Sequence, residues 1–198
     1  MSALTDEDRK NLLVLARSVI ESKLIGGAKI KRPDVISPPL REKRGCFVTL
    51  HKNGTLRGCI GTIEPVSSLI DNVAENAINA AIHDTRFPMP VSFEELGSIT
   101  IEISVLTVPK KLELENRQEL STHLVAGRDG LILRHGWRQS TYLPQVWEHF
   151  PDKEDFLDSL CQKGGMPVGC WRDAATEIFT YQAEVFHEEQ DKFIEIIE

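Results

Sequence analysis

The chain has 198 residues, 41% of them hydrophobic and 27% charged, a composition typical of a globular protein with a buried core. Its formal net charge of −7 argues against a protein that tracks the nucleic-acid backbone, because such binding depends on Lys and Arg displacing counterions. No apolar run approaches the roughly 20 residues that span a bilayer, and the first residues lack the pattern of a secretory signal. We therefore expect a cytoplasmic protein that binds neither membrane nor nucleic acid.

The first predicted element is a helix near the start of the chain. Thr5 and Asp8 have the spacing of a capping pair, and apolar side chains then recur at helical spacing from Leu12 to Val19. Gly26 permits the left-handed conformation that ends a helix, so the helix should stop there.

A basic segment follows, KIKRPDVISPPLREKRG, residues 29–45. It carries six basic residues against Asp34 and Glu42. Two interpretations are open: a solvated loop that its prolines stiffen, which we favour, and a contact for an anion or nucleic acid.

The segment CFVTLHKNGTLRGCIGTI, residues 46–63, predicts a β-hairpin, because Asn53-Gly54 is the strongest short turn signal. With a two-residue turn, Cys59 lies opposite Val48. Because side chains alternate along a strand, Arg57 and Cys59 then share one face of the hairpin.

That arrangement has two interpretations. In the first, the guanidinium of Arg57 favours the reactive thiolate of Cys59, and Gly58 and Gly61 leave backbone N–H groups open to a ligand. Those N–H groups would then stabilise negative charge that develops on a substrate. In the second, the cysteine is a small core hydrophobe and the glycines admit a neighbouring element. Spacing alone favours the second interpretation.

The chain contains four cysteines, Cys46, Cys59, Cys161 and Cys170, and none forms a C-x-x-C pair. In a reducing cytoplasm we expect all four to be free thiols. The hairpin register places Cys46 opposite Gly61, on the same face as Cys59.

The rest of the chain mixes helices and strands without a regular βαβ rhythm, which favours an α+β fold with a mainly antiparallel sheet. In chain order the predicted elements are a helix capped by Ser68 and Asp71, a strand at 98–108, a hairpin turning near Gly136, a short helix from Pro144, a helix from Asp152 to Gly164, a final strand at 177–186 and an unassigned tail, DKFIEIIE. No nucleotide-binding glycine pattern and no metal-ligand spacing of histidines appear, so we predict neither a cofactor nor a metal.

Four blocks in order resemble the AMMECR domain family across nearly the whole chain. They are GCFVTLHKNGTLRGCIGTIEP, which contains the LRGCIG motif, AAIHDTRFPMPVSFEELGSITIEISVLTVPKKL, GRDGLILRHGWRQSTYLPQVWEH and FLDSLCQKGGM. The resemblance implies a single AMMECR-like domain, residues 1–198, made of two interleaved lobes. A larger lobe would hold an antiparallel sheet flanked by helices, with a smaller α+β lobe packed beside it and a cleft between them.

The resemblance also implies partners and further site residues. Prokaryotic members, including the AmmeMemoRadiSam system protein A, are associated with a Memo-type protein similar to non-haem iron dioxygenases and with a radical S-adenosylmethionine protein. Asp84 and Arg86 match the family pattern and would form a wall opposite Cys59, and Gln145 matches its LPQ element. His83 is a candidate base beside a thiol. In the other interpretation, Asp84 and Arg86 only order a turn and Gln145 only caps one.

Two functions follow from these residues. The first is an enzyme, or a component of an enzyme system, in which Cys59 in the cleft acts on a small anionic substrate, with Arg57 and Asp84 as catalytic partners. Gly58, Gly61, Arg86 and Gln145 would then bind the substrate, whose carboxylate or phosphate the arginines would recognise. The second is a non-catalytic module that binds a partner protein and in which the LRGCIG motif is structural.

Overall fold

The computed structural model describes residues 2–114 and 116–189. The chain divides into two compact units, one made of residues 1–105 and 184–198 and the other of residues 106–183. Each unit contains one four-stranded sheet together with helices, which confirms the predicted α+β class. The cleft between the lobes stays a prediction, and the tail DKFIEIIE lies outside the described residues.

The elements follow one another along the chain in a mixed order. The helices are α1 (Asp6–Ile25), α2 (Pro38–Arg41), α3 (Leu69–Ile82), α4 (Leu120–His123) and α5 (Lys153–Lys163). The strands are β1 (Cys46–Lys52), β2 (Thr55–Thr62), β3 (Ile99–Leu106), β4 (Lys110–Lys111), β5 (Gly130–His135), β6 (Arg138–Tyr142), β7 (Glu177–Tyr181) and β8 (Ala183–His187). The strand order is β2-β1-β3-β8 in the first unit's sheet and β4-β7-β5-β6 in the second.

The helix boundaries confirm the predicted capping pairs. Asp8 N–H donates to Thr5 Oγ1 over 3.1 Å, and Thr5 N–H donates to the Asp8 carboxylate over 2.9 Å. The helix α1 ends at Gly26, whose φ of 78° is left-handed. Ser68 caps α3 in the same way, by accepting the N–H of Asp71.

Two buried asparagines interrupt the apolar face of α3, which packs on β1 and β2. Asn72 donates to the carbonyl of Arg44 over 2.8 Å, and Asn76 donates to the carbonyl of Cys46 over 3.3 Å and to Asn72 Oδ1 over 2.8 Å. A buried carbonyl without a partner is costly, so these amides satisfy the backbone where β1 begins.

The final strand predicted at 177–186 is two strands in different sheets. The break falls at Gln182, whose N–H donates to Thr107 Oγ1 and whose carbonyl accepts the N–H of Thr107, each over 2.9 Å. Because the backbone of Gln182 bonds to Thr107, the chain leaves the second sheet there and enters the first as β8.

The prediction that all four cysteines are free thiols is wrong for two of them. Cys161, in the last turn of α5, forms a disulfide with Cys170, and their Cα atoms are 6.1 Å apart. The chain turns back after Gly164 and brings Cys170 to the helix, a fold-back that a nine-residue spacing does not reveal. Cys46 and Cys59 are the free cysteines.

Candidate functional site

The hairpin that carries Cys59 has the predicted turn and an unpredicted bulge. Asn53 and Gly54, with φ of 49° and 79°, adopt the left-handed conformations that a two-residue turn requires. The register between β1 and β2 then shifts, and Arg57 is the extra residue on β2. Such a bulge bends its strand and re-aims the side chains beyond it.

The bulge changes the partners of both free cysteines. Cys59 lies opposite Thr49, which corrects the predicted pairing with Val48, and Cys46 lies opposite Thr62. Because side chains alternate across a strand, this register places Cys46 and Cys59 on opposite faces of the sheet, not on the same face as predicted.

The two thiols therefore have different environments. Cys46 is fully buried on the face that packs against α3, and burial raises the pKa of its thiol to about 12. Such a thiol is unreactive at neutral pH. Cys59 is half-buried on the other face.

Two polar side chains hydrogen-bond to Cys59, one at its sulfur and one at its carbonyl. The hydroxyl of Thr49 donates to Cys59 Sγ over 3.3 Å, and Arg86 Nη2 donates to the Cys59 carbonyl over 2.9 Å. Hydrogen bonds to Asp84 raise the pKa of Arg86, and the Cys59 thiol contributes to that rise. Cys59 thus lies beside both a hydroxyl donor and a guanidinium.

Asp84 fixes this arrangement at the edge of the sheet. Its carboxylate accepts the N–H of Cys59 over 2.8 Å and a forked pair of bonds from Arg86, Nε over 2.9 Å and Nη2 over 2.6 Å. The Arg86 hydrogen bonds, followed by the Cys59 N–H, hold the pKa of Asp84 at about 2. The Asp84–Arg86 pair thus bonds to the N–H and the carbonyl of Cys59 in place of a further strand.

Arg57 has a different partner from the one predicted. Its guanidinium binds the carboxylate of Glu95, with Nε and Nη2 at 3.2 and 3.1 Å, and holds the pKa of Glu95 at about 2. It also lies 5.5 Å from the centre of the Phe87 ring. The arginine that hydrogen-bonds to Cys59 is Arg86, so Arg86 takes the position that the sequence suggested for Arg57.

Both glycines of the motif have a packing role. A Cβ on Gly58 would lie 2.2 Å from the carbonyl oxygen of Ala80 in α3, and one on Gly61 would lie 2.3 Å from the ring of Phe47. Each glycine therefore admits a neighbour that a side chain would displace, as the second interpretation of the sequence proposed.

The N–H groups of the two glycines point in different directions. The N–H of Cys59 bonds to Asp84 and therefore points away from β1. Cys59 and Thr49 are thus a non-hydrogen-bonded pair of the β1–β2 ladder. Strand alternation then directs the N–H of Gly58 toward β1 and that of Gly61 away from it. Of the two predicted backbone donors, only Gly61 faces the open edge of β2.

We expect Gly58→Ala to lower the free energy of unfolding by about 1–3 kcal/mol, because the new methyl group meets backbone that cannot rotate away. Gly97→Ala is the matched control, since a Cβ there meets no atom within 4 Å. Urea unfolding of both variants measures the difference. Equal stabilities of the two variants would show that α3 does not pack against Gly58 this closely.

A row of side chains on three paired strands runs across the sheet from Cys59, on the face that carries the Cys59 thiol. Thr49 pairs with Cys59 on one side and with Glu102 of β3 on the other. Facing side chains on paired strands lie within contact range. Neither Thr49 nor Glu102 was predicted, because the bulge sets the pairing of Thr49 with Cys59 and the pairing of Glu102 depends on a strand distant in sequence.

The other predicted site residues lie elsewhere. His83 is exposed at the end of α3, and Gln145 lies in the second unit, in a 3-10 helix spanning Pro144–His149. Within residues 2–114 and 116–189, no group of three His, Cys, Asp or Glu side chains is placed to hold a metal ion. No helix in the described part of the chain is long and apolar enough to cross a membrane.

Comparison with known proteins gives consistent matches along the chain. The family model described as AMMECR1 matches residues 13–186. A protein of Methanothermobacter thermautotrophicus is 44% identical over 187 residues, covering 94% of this chain and 97% of that protein. Protein MK0488 of Methanopyrus kandleri is 44% identical over 193 residues, covering 94% and 91%. The crystal structure of the uncharacterized protein PH0010 from Pyrococcus horikoshii matches with a TM-score of 0.87 at 39% identity and covers 94% of each chain.

Proposed function

The chain belongs to the AMMECR1 family, and from the surroundings of Cys59 we propose that it is an enzyme, or a component of an enzyme system, whose Cys59 thiol attacks a small anionic substrate. The observation that carries the proposal is the contrast between the two free thiols. Cys46 is buried against the Asn76 amide, whereas Cys59 is half-buried with the Thr49 hydroxyl on its sulfur and Arg86 beside it.

Each residue has a distinct role in the proposed step. Cys59 Sγ, having lost its proton to solvent, forms a bond to an electrophilic carbon, and the displaced electron pair moves onto a substrate oxygen. Arg86 pairs with a carboxylate or phosphate of the substrate, because more than half of its side chain is exposed. Asp84 is a positioning residue, since it holds the backbone of Cys59 and the guanidinium of Arg86 together.

A second candidate function rests on the two glycines. Because contacts with Ala80 and Phe47 account for both of them, the LRGCIG motif also suits a protein-interaction module without catalysis. A Memo-type protein, which the family resemblance implies, is the partner that we propose for such a module. We also propose that the protein is cytoplasmic and that Gln145 takes part in substrate binding.

Alkylation of the folded protein at neutral pH, followed by mass spectrometry, separates these functions. We expect neutral iodoacetamide to modify Cys59 at least about 100-fold faster than Cys46, because a buried thiol reacts only when the structure opens. Protection of Cys59 until the protein unfolds would refute the catalytic proposal and favour the interaction module.

Anionic iodoacetate tests the role of Arg86. In Arg86→Ala we expect the ratio of the iodoacetate rate to the iodoacetamide rate at Cys59 to fall about threefold or more, because the guanidinium attracts the carboxylate. Arg32→Ala, which removes another half-exposed arginine of the same unit, is the control and should leave the ratio unchanged. An unchanged ratio in Arg86→Ala would contradict anion binding at this site.

A further inference from the structure

The second unit contains a cavity of about 270 Å³ beside β4 and β7, and no residue of the Cys59 site lines it. We propose that this cavity binds a small organic anion with one charged end and one apolar end. Its lining includes the cations Lys110 and Arg128, the imidazole of His123, and the apolar side chains of Val108 and Leu112. The volume lies just below the roughly 300–1,000 Å³ of most ligand pockets, which suits a small molecule.

The one carboxylate in the lining is already satisfied. Asp129 is buried and accepts bonds from Arg128, Nε over 2.8 Å and Nη2 over 3.0 Å, and from the N–H of Val125 over 2.8 Å. The indole of Trp147 donates to the Asp129 carbonyl over 2.7 Å, so this wall is rigid.

The cations remain able to bind a ligand. Lys110 is exposed, and among the described residues its ammonium group has no hydrogen-bond or ion-pair partner. His123 donates from Nδ1 to the carbonyl of Glu119 over 2.9 Å, which fixes its ring at the border of the cavity. With Lys110 and Arg128 against Asp129, the lining is net positive in a chain of net charge −7. Such a local reversal of sign attracts anions.

The opposite part of the lining is apolar. Val108, which is 45% exposed, and the partly exposed Leu112 supply this apolar surface. Tyr181 is only 2% exposed, and its hydroxyl bonds to the Tyr142 carbonyl at 3.0 Å and to the Thr141 hydroxyl at 2.8 Å. Gly130 makes room for the Tyr181 ring, because a Cβ there would lie 2.5 Å from it.

The neighbouring surface limits the charge of the ligand. A second cavity shares His123 and is lined by Glu113 and Glu119. These carboxylates repel a second negative group beyond His123. We therefore infer a ligand with a single carboxylate or phosphate attached to an apolar group.

Titration of the whole chain with benzoate, phenyl phosphate and inorganic phosphate, followed by calorimetry or NMR, tests the proposal. We expect benzoate or phenyl phosphate to bind with a dissociation constant below about 10 mM and inorganic phosphate to bind about tenfold more weakly. Whichever of benzoate and phenyl phosphate binds more tightly shows whether the natural ligand carries a carboxylate or a phosphate. Lys110→Ala should weaken binding about tenfold, the loss of one charge-assisted contact.

Lys111→Ala is the matched control. Lys111 is the next residue of β4, but it does not line the cavity and pairs with Glu113 at 3.4 Å and Glu177 at 3.0 Å. Its variant should bind within about twofold of the parent. Equal losses in the two lysine variants, or no binding of any of the three anions, would overturn the proposal. Either result leaves the Cys59 proposal standing, because the two sites share no residue.

Discussion

Replacing Glu188 with alanine should lower the free energy of unfolding by about 3–5 kcal/mol, the cost of removing one member of a buried ion pair. The Glu188 side chain is 2% exposed and accepts two bonds from Arg17 of α1, with Nε at 2.7 Å, and one from the N–H of Ile101 at 2.9 Å. Its loss removes the carboxylate from a guanidinium that is only 13% exposed and that keeps its bonds to the Leu96 and Ile99 carbonyls. Urea unfolding at pH 7 measures the effect.

Glu184→Ala is the control for this variant. Glu184 also lies at the β8 end of the chain and also pairs with an arginine of α1, Arg9, but about a third of each side chain is exposed. Glu184→Ala should lower the free energy of unfolding much less than Glu188→Ala does, because water can replace the carboxylate beside Arg9. The double variant Arg17→Met, Glu188→Met should recover most of the stability lost in Glu188→Ala. If Glu184→Ala costs as much as Glu188→Ala, burial does not set the strength of these pairs.

Asp84→Asn should cost about 2 kcal/mol at pH 7 and should slow the alkylation of Cys59, because an amide cannot accept both the Arg86 fork and the Cys59 N–H as a carboxylate does. The effect on stability depends on pH. The folded protein lowers the pKa of Asp84 from its ordinary 3.8 to about 2, so the stabilisation is fully present above about pH 4. It is lost as the pH falls through about 2.

The parent and Asp84→Asn should therefore converge in stability between pH 4 and pH 2. Glu95 titrates in the same window, with its pKa at about 2, but it is present in both proteins and cancels in the comparison. Glu154→Gln, which disrupts the half-exposed pair with Arg172, should leave both stability and Cys59 alkylation nearly unchanged. A constant difference between parent and Asp84→Asn over this range would exclude the ionised Asp84 carboxylate as its source.

The features that the sequence predicts correctly are local ones. The capping pair of Thr5 and Asp8, the turn at Asn53-Gly54 and the stop at Gly164 each depend on a few adjacent residues, whose conformational preferences act wherever the segment lies. The α+β class follows from the same local signals taken in order.

The features that the sequence misses depend on contacts between distant segments. The bulge at Arg57 is favoured by its bonds to Glu95, 38 residues away, and it decides that Thr49 faces Cys59. Arg86 reaches Cys59 from 27 residues away. Residue spacing along one strand holds no information about such partners. The sequence therefore predicted Arg57, and not Arg86, as the arginine beside Cys59.

The separation of β3 from β8 has a consequence for synthesis on the ribosome. These strands are neighbours in the first sheet, yet residues 107–182 are all translated between them. At about 5–20 residues per second, the outer edge of β3 lacks its partner for several seconds. The second unit is one continuous segment and emerges complete before β8 does, so it can fold first. A nascent chain halted before residue 184 would thus expose an unpaired β-strand edge, which is a template for aggregation.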